Sequence, residues 1–140
     1  MYKKIILPTD GSEYSNREIL RATKLLAEDG EVIILSVATE LRKTAFQRSK
    51  DIDRANKESI QEAKEYVAAM KKGFDDSVNV RTKVVVGFPA EAINQVAEEE
   101  GADLIIIASS GKRGLHRFVI GSVAEKVLKD SEIDVLLVHD

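Results

Sequence analysis

The residues whose types could do chemistry gather in two polar stretches. One is Pro8-Thr9-Asp10-Gly11-Ser12. The other opens at Ala108-Ser109-Ser110-Gly111-Lys112-Arg113-Gly114 and closes at Gly121-Ser122-Val123-Ala124-Glu125. In the second stretch Gly111, Gly114 and Gly121 permit positive φ and let the backbone approach an anion closely. Lys112, Arg113, His116 and Arg117 add positive charge beside them. Ser122 and Glu125 have the S-x-x-E spacing of a capping box, which predicts a helix starting at Ser122. A helix N-terminus offers free N–H groups and the positive end of the dipole, and both favour phosphate. The plain alternative is a long loop with ordinary turn glycines ahead of a capped helix. In the first stretch, Asp10 could accept a hydrogen bond from an adenine amino group or a ribose hydroxyl. It could equally serve turn chemistry or cap a helix. Thr9 carries the same two readings.

Other chemistries lack their residues. No G-x-x-x-x-G-K-[S/T] loop is present, since Ile106 stands five positions before Gly111 and Arg113 follows Lys112. There is no G-x-G-x-x-G fingerprint and no G-x-S-x-G elbow. The two histidines, His116 and His139, stand in no metal-ligand spacing and read as exposed bystanders. The run Glu98-Glu99-Glu100 reads as a solvated helix end. No residue stands out as catalytic.

Five apolar runs must position the two polar stretches: Ile5–Leu7, Val32–Val37, Val80–Val86, Leu104–Ala108 and Val135–Val138. Most are continuous and β-branched, which suits strands covered on both faces. Val80–Val86 begins with alternation, as an edge strand would. Amphipathic helical stripes lie between the runs. They are Ile19/Ala22/Thr23/Leu26/Ala27, Ile60/Ala63/Val67/Met70, Ile93/Val96/Ala97 and Val123/Val127/Leu128. Gly30 and Gly101 follow the first and third stripes, where a C-terminal glycine belongs. Pro89 suits a first helical position. The stretch from about Thr39 to Lys50 is polar and basic and reads as a solvated loop, with a lid as the lesser alternative.

Strict β-α alternation implies an α/β fold with a parallel sheet and helices on both faces. Ligands of such sheets bind beyond the carboxyl ends of the strands, where the strand order reverses. With right-handed crossovers, that crevice lies between strands one and four, where the two polar stretches meet.

The 140 residues suit one domain with a real core. A net charge of −3 argues against a dedicated nucleic-acid binder. With no cysteine there is no disulfide, thiolate catalysis or Cys-ligated zinc, which fits a reducing cytoplasm. The first apolar run is too short for a signal-peptide core, and none approaches a membrane span.

The chain resembles the universal stress protein family over nearly its whole length. The segments that carry the likeness are Lys3–Ser12 (KKIILPTDGS), Gly87-Phe88-Pro89-Ala90, Ala102–Ile107 (ADLIII) and Gly121-Ser122-Val123-Ala124. The resemblance implies an open five-stranded parallel sheet of order 3-2-1-4-5, the adenine nucleotide alpha hydrolase-like architecture, in a single domain over residues 1–140. ATP-binding members carry G-x2-G-x9-G-[S/T]. Here Gly111 and Gly121-Ser122 match, and Ala108 departs from the first glycine. By this resemblance Gly111, Gly121, Ser122 and Val123 hold phosphates, with Lys112 and Arg113 close by. Pro8, Thr9 and Asp10 line the adenosine side, the backbone of Val37 meets the adenine, and Ala108 lies near the ribose. ATP, AMP or ADP is the implied ligand, with Mg²⁺ beside a triphosphate and at most weak hydrolysis. Members commonly form homodimers through the last strand, here Val135–Val138, and an apolar edge strand has a physical motive to pair. The implied role is a cytoplasmic stress-response module. The rival role is a dimeric interaction protein of the same fold without nucleotide. An enzyme of the ATP pyrophosphatase kind would need an S-G-G-x-D-S loop after strand one, where this chain has Pro8–Ser12.

Overall fold

The computed structural model describes residues 1–12, 15–40, 49–109 and 120–139. Each apolar run forms a strand: β1 (Tyr2–Pro8), β2 (Leu26–Ala38), β3 (Val80–Val86), β4 (Leu104–Ala108) and β5 (Asp134–Val138). The helices between them are α1 (Ser15–Leu25), α2 (Ser49–Lys71), α3 (Pro89–Glu100) and α4 (Ser122–Asp130). All strand pairs are parallel, in the order β3-β2-β1-β4-β5.

Side chains alternate across the pleat, so the continuous apolar runs feed two cores. Ile5, Leu7, Val32, Ile34, Leu104 and Ile106 face α1 and α2 and pack on Ile19, Ala22, Val67 and Met70. Ile6, Ile33, Leu35, Ile105 and Ile107 face α3 and α4 and pack on Ile93, Val96, Ala97 and Val127. Each such Ile, Leu, Val or Met side chain contributes about 1.5–3 kcal/mol when fully buried. β3, at the sheet edge, is only partly buried, as its alternation indicates. α3 has Pro89 at its N-terminus and ends at Gly101 with φ 66°. That left-handed turn is where glycine belongs.

The structure departs from the sequence expectations in several places. First, α1 ends at Leu25, so Leu26 and Ala27 open β2 and Gly30 lies within that strand. The β1–β2 register jumps from Tyr2↔Leu26 to Lys4↔Glu31, which accommodates the extra residues as an irregularity. A Cβ at Gly30 would lie 2.9 Å from the Lys3 carbonyl oxygen, so close approach of two strands, not helix capping, calls for glycine there. Second, Ser49 and Lys50 already belong to α2, and residues 41–48 of the basic stretch, with the suggested lid, lie outside the described residues. Third, α4 buries Ala124 and Val127 and leaves Val123 and Leu128 exposed. Fourth, Glu100 is not merely solvated: it pairs with Arg81 at 2.6 Å and Lys83 at 3.2 Å, and these bonds hold its carboxyl down near 2.

Candidate functional site

β1 and β4 are neighbours, and the chain leaves them toward helices on opposite faces of the sheet. The crevice this opens is a cavity of about 460 Å³. Its size lies within the range of small-molecule sites. Pro8, Thr9 and Asp10 border it from β1, and Ala108 from β4. Val37 borders it from β2, and Gly121, Ser122 and Val123 from the start of α4. Gly111, Lys112 and Arg113, like the basic residues His116 and Arg117, lie outside the described residues.

The first loop is built by short-range polar bonds. The Thr9 N–H donates to the Leu35 carbonyl at 2.8 Å, the last link between β1 and β2. The Gly11 N–H then donates to Thr9 Oγ1 at 3.2 Å, and the Ser12 N–H to Asp10 Oδ1 at 3.0 Å. The Asp10 bond is an Asx turn. Turn chemistry therefore does occupy one oxygen of Asp10, while its side chain also borders the cavity. Gly11 has φ 82°, and a Cβ there would run into the Tyr66 ring at 2.5 Å. Both conformation and space call for glycine.

β2 runs on past the end of β1. The Leu35 carbonyl points toward β1, and in a parallel strand the backbone groups two residues on point the same way. Val37 thus turns its N–H and C=O toward the cavity, beyond the last β1–β2 pair at Pro8↔Leu35. This arrangement can read the edge of a planar heterocycle.

At the other wall, the Gly121 N–H donates to the Ser109 carbonyl at 2.6 Å, and the Gly121 carbonyl accepts from the Glu125 N–H at 2.9 Å. Gly121 is therefore the N-cap of α4, in extended backbone (φ −64°, ψ 153°), and no side-chain cap bond is formed among the described residues. The expected capping box is not formed. Ser122 stands one position too late to cap, and Glu125 pairs with Lys129 at 3.3 Å instead. Nor does Gly121 require positive φ. What recommends a small residue there is that it is buried at the cavity wall. Without a side-chain cap, the first turn of α4 presents its N–H groups and the Ser122 hydroxyl to the cavity, which suits an anion. Leu35, Ile93 and Ile107 supply apolar surface between the two polar walls.

An ionisable residue that was not expected also lines this cavity. Glu18 of α1 is 2% exposed and contributes to the cavity wall. Burial, and secondarily the nearby charge of Asp10, push its carboxyl up to about 8, while a hydrogen bond from the Ala108 backbone opposes them. The sequence carried a signal for it. Glu18 precedes Ile19 and stands four residues before Ala22, so it lies on the buried stripe of α1.

The comparisons with known proteins agree with this architecture. Residues 1–139 match the Universal stress protein family. The chain belongs to the universal stress protein family. It is 37% identical to Universal stress protein MJ0531 of Methanocaldococcus jannaschii, over 99% of this chain and 82% of that protein. The solved structure of the M. jannaschii protein MJ0577 superposes with a TM-score of 0.78 at 37% identity, covering 99% of this chain and 96% of the other. A universal stress protein crystallised in complex with cAMP superposes with a TM-score of 0.63 at 27% identity, covering 99% and 97%. Among the described residues, no helix is long and apolar enough to cross a membrane.

Proposed function

We propose that this protein binds an adenine nucleotide such as ATP, AMP or ADP between the ends of β1 and β4 and acts as a regulatory, stress-response module. The observation that carries the reading is the cavity itself. It joins an apolar slot edged by the backbone of Val37 to the N-terminus of α4, which has no side-chain cap among the described residues. The slot suits an adenine and the helix end suits phosphates. The relative bound to cAMP supports the same ligand class. In this reading Pro8, Thr9 and Asp10 hold the adenosine side and Ala108 lies by the ribose. Gly121, Ser122 and Val123 hold phosphate, with Gly111, Lys112 and Arg113 completing that end.

Among the described residues no group of three His, Asp or Glu could hold a metal ion. Mg²⁺ arriving with a triphosphate would keep mainly phosphate and water oxygens as ligands, as this ion commonly does. No general base is assigned, and hydrolysis is slow or absent. The protein works as a single domain in the cytoplasm, as a homodimer paired through Val135–Val138. Calorimetric titration with ATP and Mg²⁺ tests the binding, and no heat at millimolar ligand would defeat it.

A second reading, a dimeric interaction protein without nucleotide, rests on Ala108, which stands where ATP-binding members carry the first glycine of their motif. It expects a dimer by light scattering and no thermal shift with ATP, ADP or AMP.

A further inference from the structure

Among the described residues lining the cavity, Glu18 is the ionisable one to which the nucleotide reading assigns no part. The residue is almost wholly withdrawn from water, yet it lines the cavity a ligand would fill. We propose that Glu18 is the charge-discriminating residue of this cavity: an anionic ligand seats only over the protonated carboxyl, so binding a nucleotide takes up a proton and binding an uncharged nucleoside does not. This rests on the nucleotide reading given above and assigns that site its selectivity.

Among the described residues, little around Glu18 offsets a negative charge. From the end of β1 it meets Asp10, a second carboxyl and the nearest source of unfavourable charge. β4 offers it the Ala108 backbone hydrogen bond and has no ionisable side chain. On β2, Glu28, Asp29 and Glu31 stand near the opposite end of the strand. α2 meets this region with Tyr66, whose ring lies against Gly11. On α1 itself, Arg17 extends to the His139 carbonyl at 3.1 Å. The first turn of α4 brings Ser122 and, as its acidic residue, Glu125, which Lys129 pairs. Among the described residues no cation stands against the Glu18 carboxyl. Phosphate at the α4 N-terminus would add another negative charge to the same low-dielectric space, where like charges interact strongly. The proton on Glu18 removes that residue's own charge, and the neutral acid keeps an O–H donor.

ATP and adenosine are titrated into the wild-type protein and Glu18→Gln at pH 7.5 and pH 9, an interval in which the ATP phosphates stay ionised. The wild type is expected to lose about tenfold in ATP affinity at the higher pH, as a carboxyl titrating near 8 must be reprotonated on binding. Its adenosine affinity stays level, and Glu18→Gln is level for both ligands. In buffers of different ionisation enthalpy, the wild type at pH 9 takes up close to one proton per ATP. That measurement needs no variant, and Glu18→Leu stands in should the amide not fold. An ATP affinity that is level in the wild type, or that falls equally in Glu18→Gln, overturns the role of Glu18 and leaves the nucleotide reading intact. No binding of either ligand to either protein overturns the nucleotide reading, and this inference with it.

Discussion

Replacing Glu18 by Gln should change how stability depends on pH even with no ligand present. The sign follows from the raised carboxyl. In the unfolded chain Glu18 titrates near 4.5, and in the native state near 8. Below 4.5 both states hold the proton and burial of the neutral acid is undisturbed. Between 4.5 and 8 the native state retains a proton that the unfolded state has released, so stability falls as pH rises and levels off above 8. At about 1.4 kcal/mol per pKa unit, the interval from 4.5 to about 8 amounts to a loss on the order of 4–5 kcal/mol. That is a large share of a total stability of roughly 5–15 kcal/mol. Gln has the same shape, accepts the same bond from the Ala108 backbone and carries no charge. Urea unfolding of both proteins at pH 5, 7 and 9 measures the difference. The two should be close at pH 5 and diverge steadily, with Glu18→Gln the more stable at pH 9. In thermal melts the gap should reach roughly 10 °C, at a few degrees per kcal/mol for a domain of this size. Parallel curves, or a divergence below about 1 kcal/mol, would show that water or a cation reaches the carboxylate, and the burial argument would fail.

Gly121→Val should weaken ATP binding at least tenfold by calorimetry, because the side chain enters the cavity wall. The melting temperature should change little, since the backbone at Gly121 is one any residue adopts. Gly101→Ala should lower stability by about 1 kcal/mol and leave ATP affinity alone. No atom lies within 4 Å of the added methyl, so the cost is that of the left-handed turn. Glu100→Gln should flatten the acid limb of the stability profile. The depressed carboxyl stabilises the native state above its ordinary value near 4.5, and that contribution is lost as pH falls toward 2, so urea midpoints of variant and wild type should converge below pH 4.

The physical reason for the sequence's legibility is the two-sided burial of a parallel sheet. A strand covered on both faces has to be apolar at every position, and Val32–Leu35 and Leu104–Ile107 announce themselves that way. Turn chemistry is equally local, so Pro89, Gly101 and the Thr9–Ser12 loop could be read from residue type. The order of the strands, and with it the meeting of β1 with β4, follows from alternation, handedness and family likeness together. Three features were decided only by the fold. Leu26 and Ala27 fit a helical stripe, but strand pairing with Tyr2 draws Leu26 into β2. Ser122 and Glu125 have capping-box spacing, but the bonds of Gly121 to Ser109 and Glu125 make the glycine the cap and leave the serine facing the cavity. Glu18 lies on the buried stripe of α1, but its residue type does not say what it is buried against. Only the packing of α1 against β1 and β4 shows that it is shut away from water beside Asp10. Periodicity reports which face of a helix is buried, whereas the tertiary structure determines what that face is buried against.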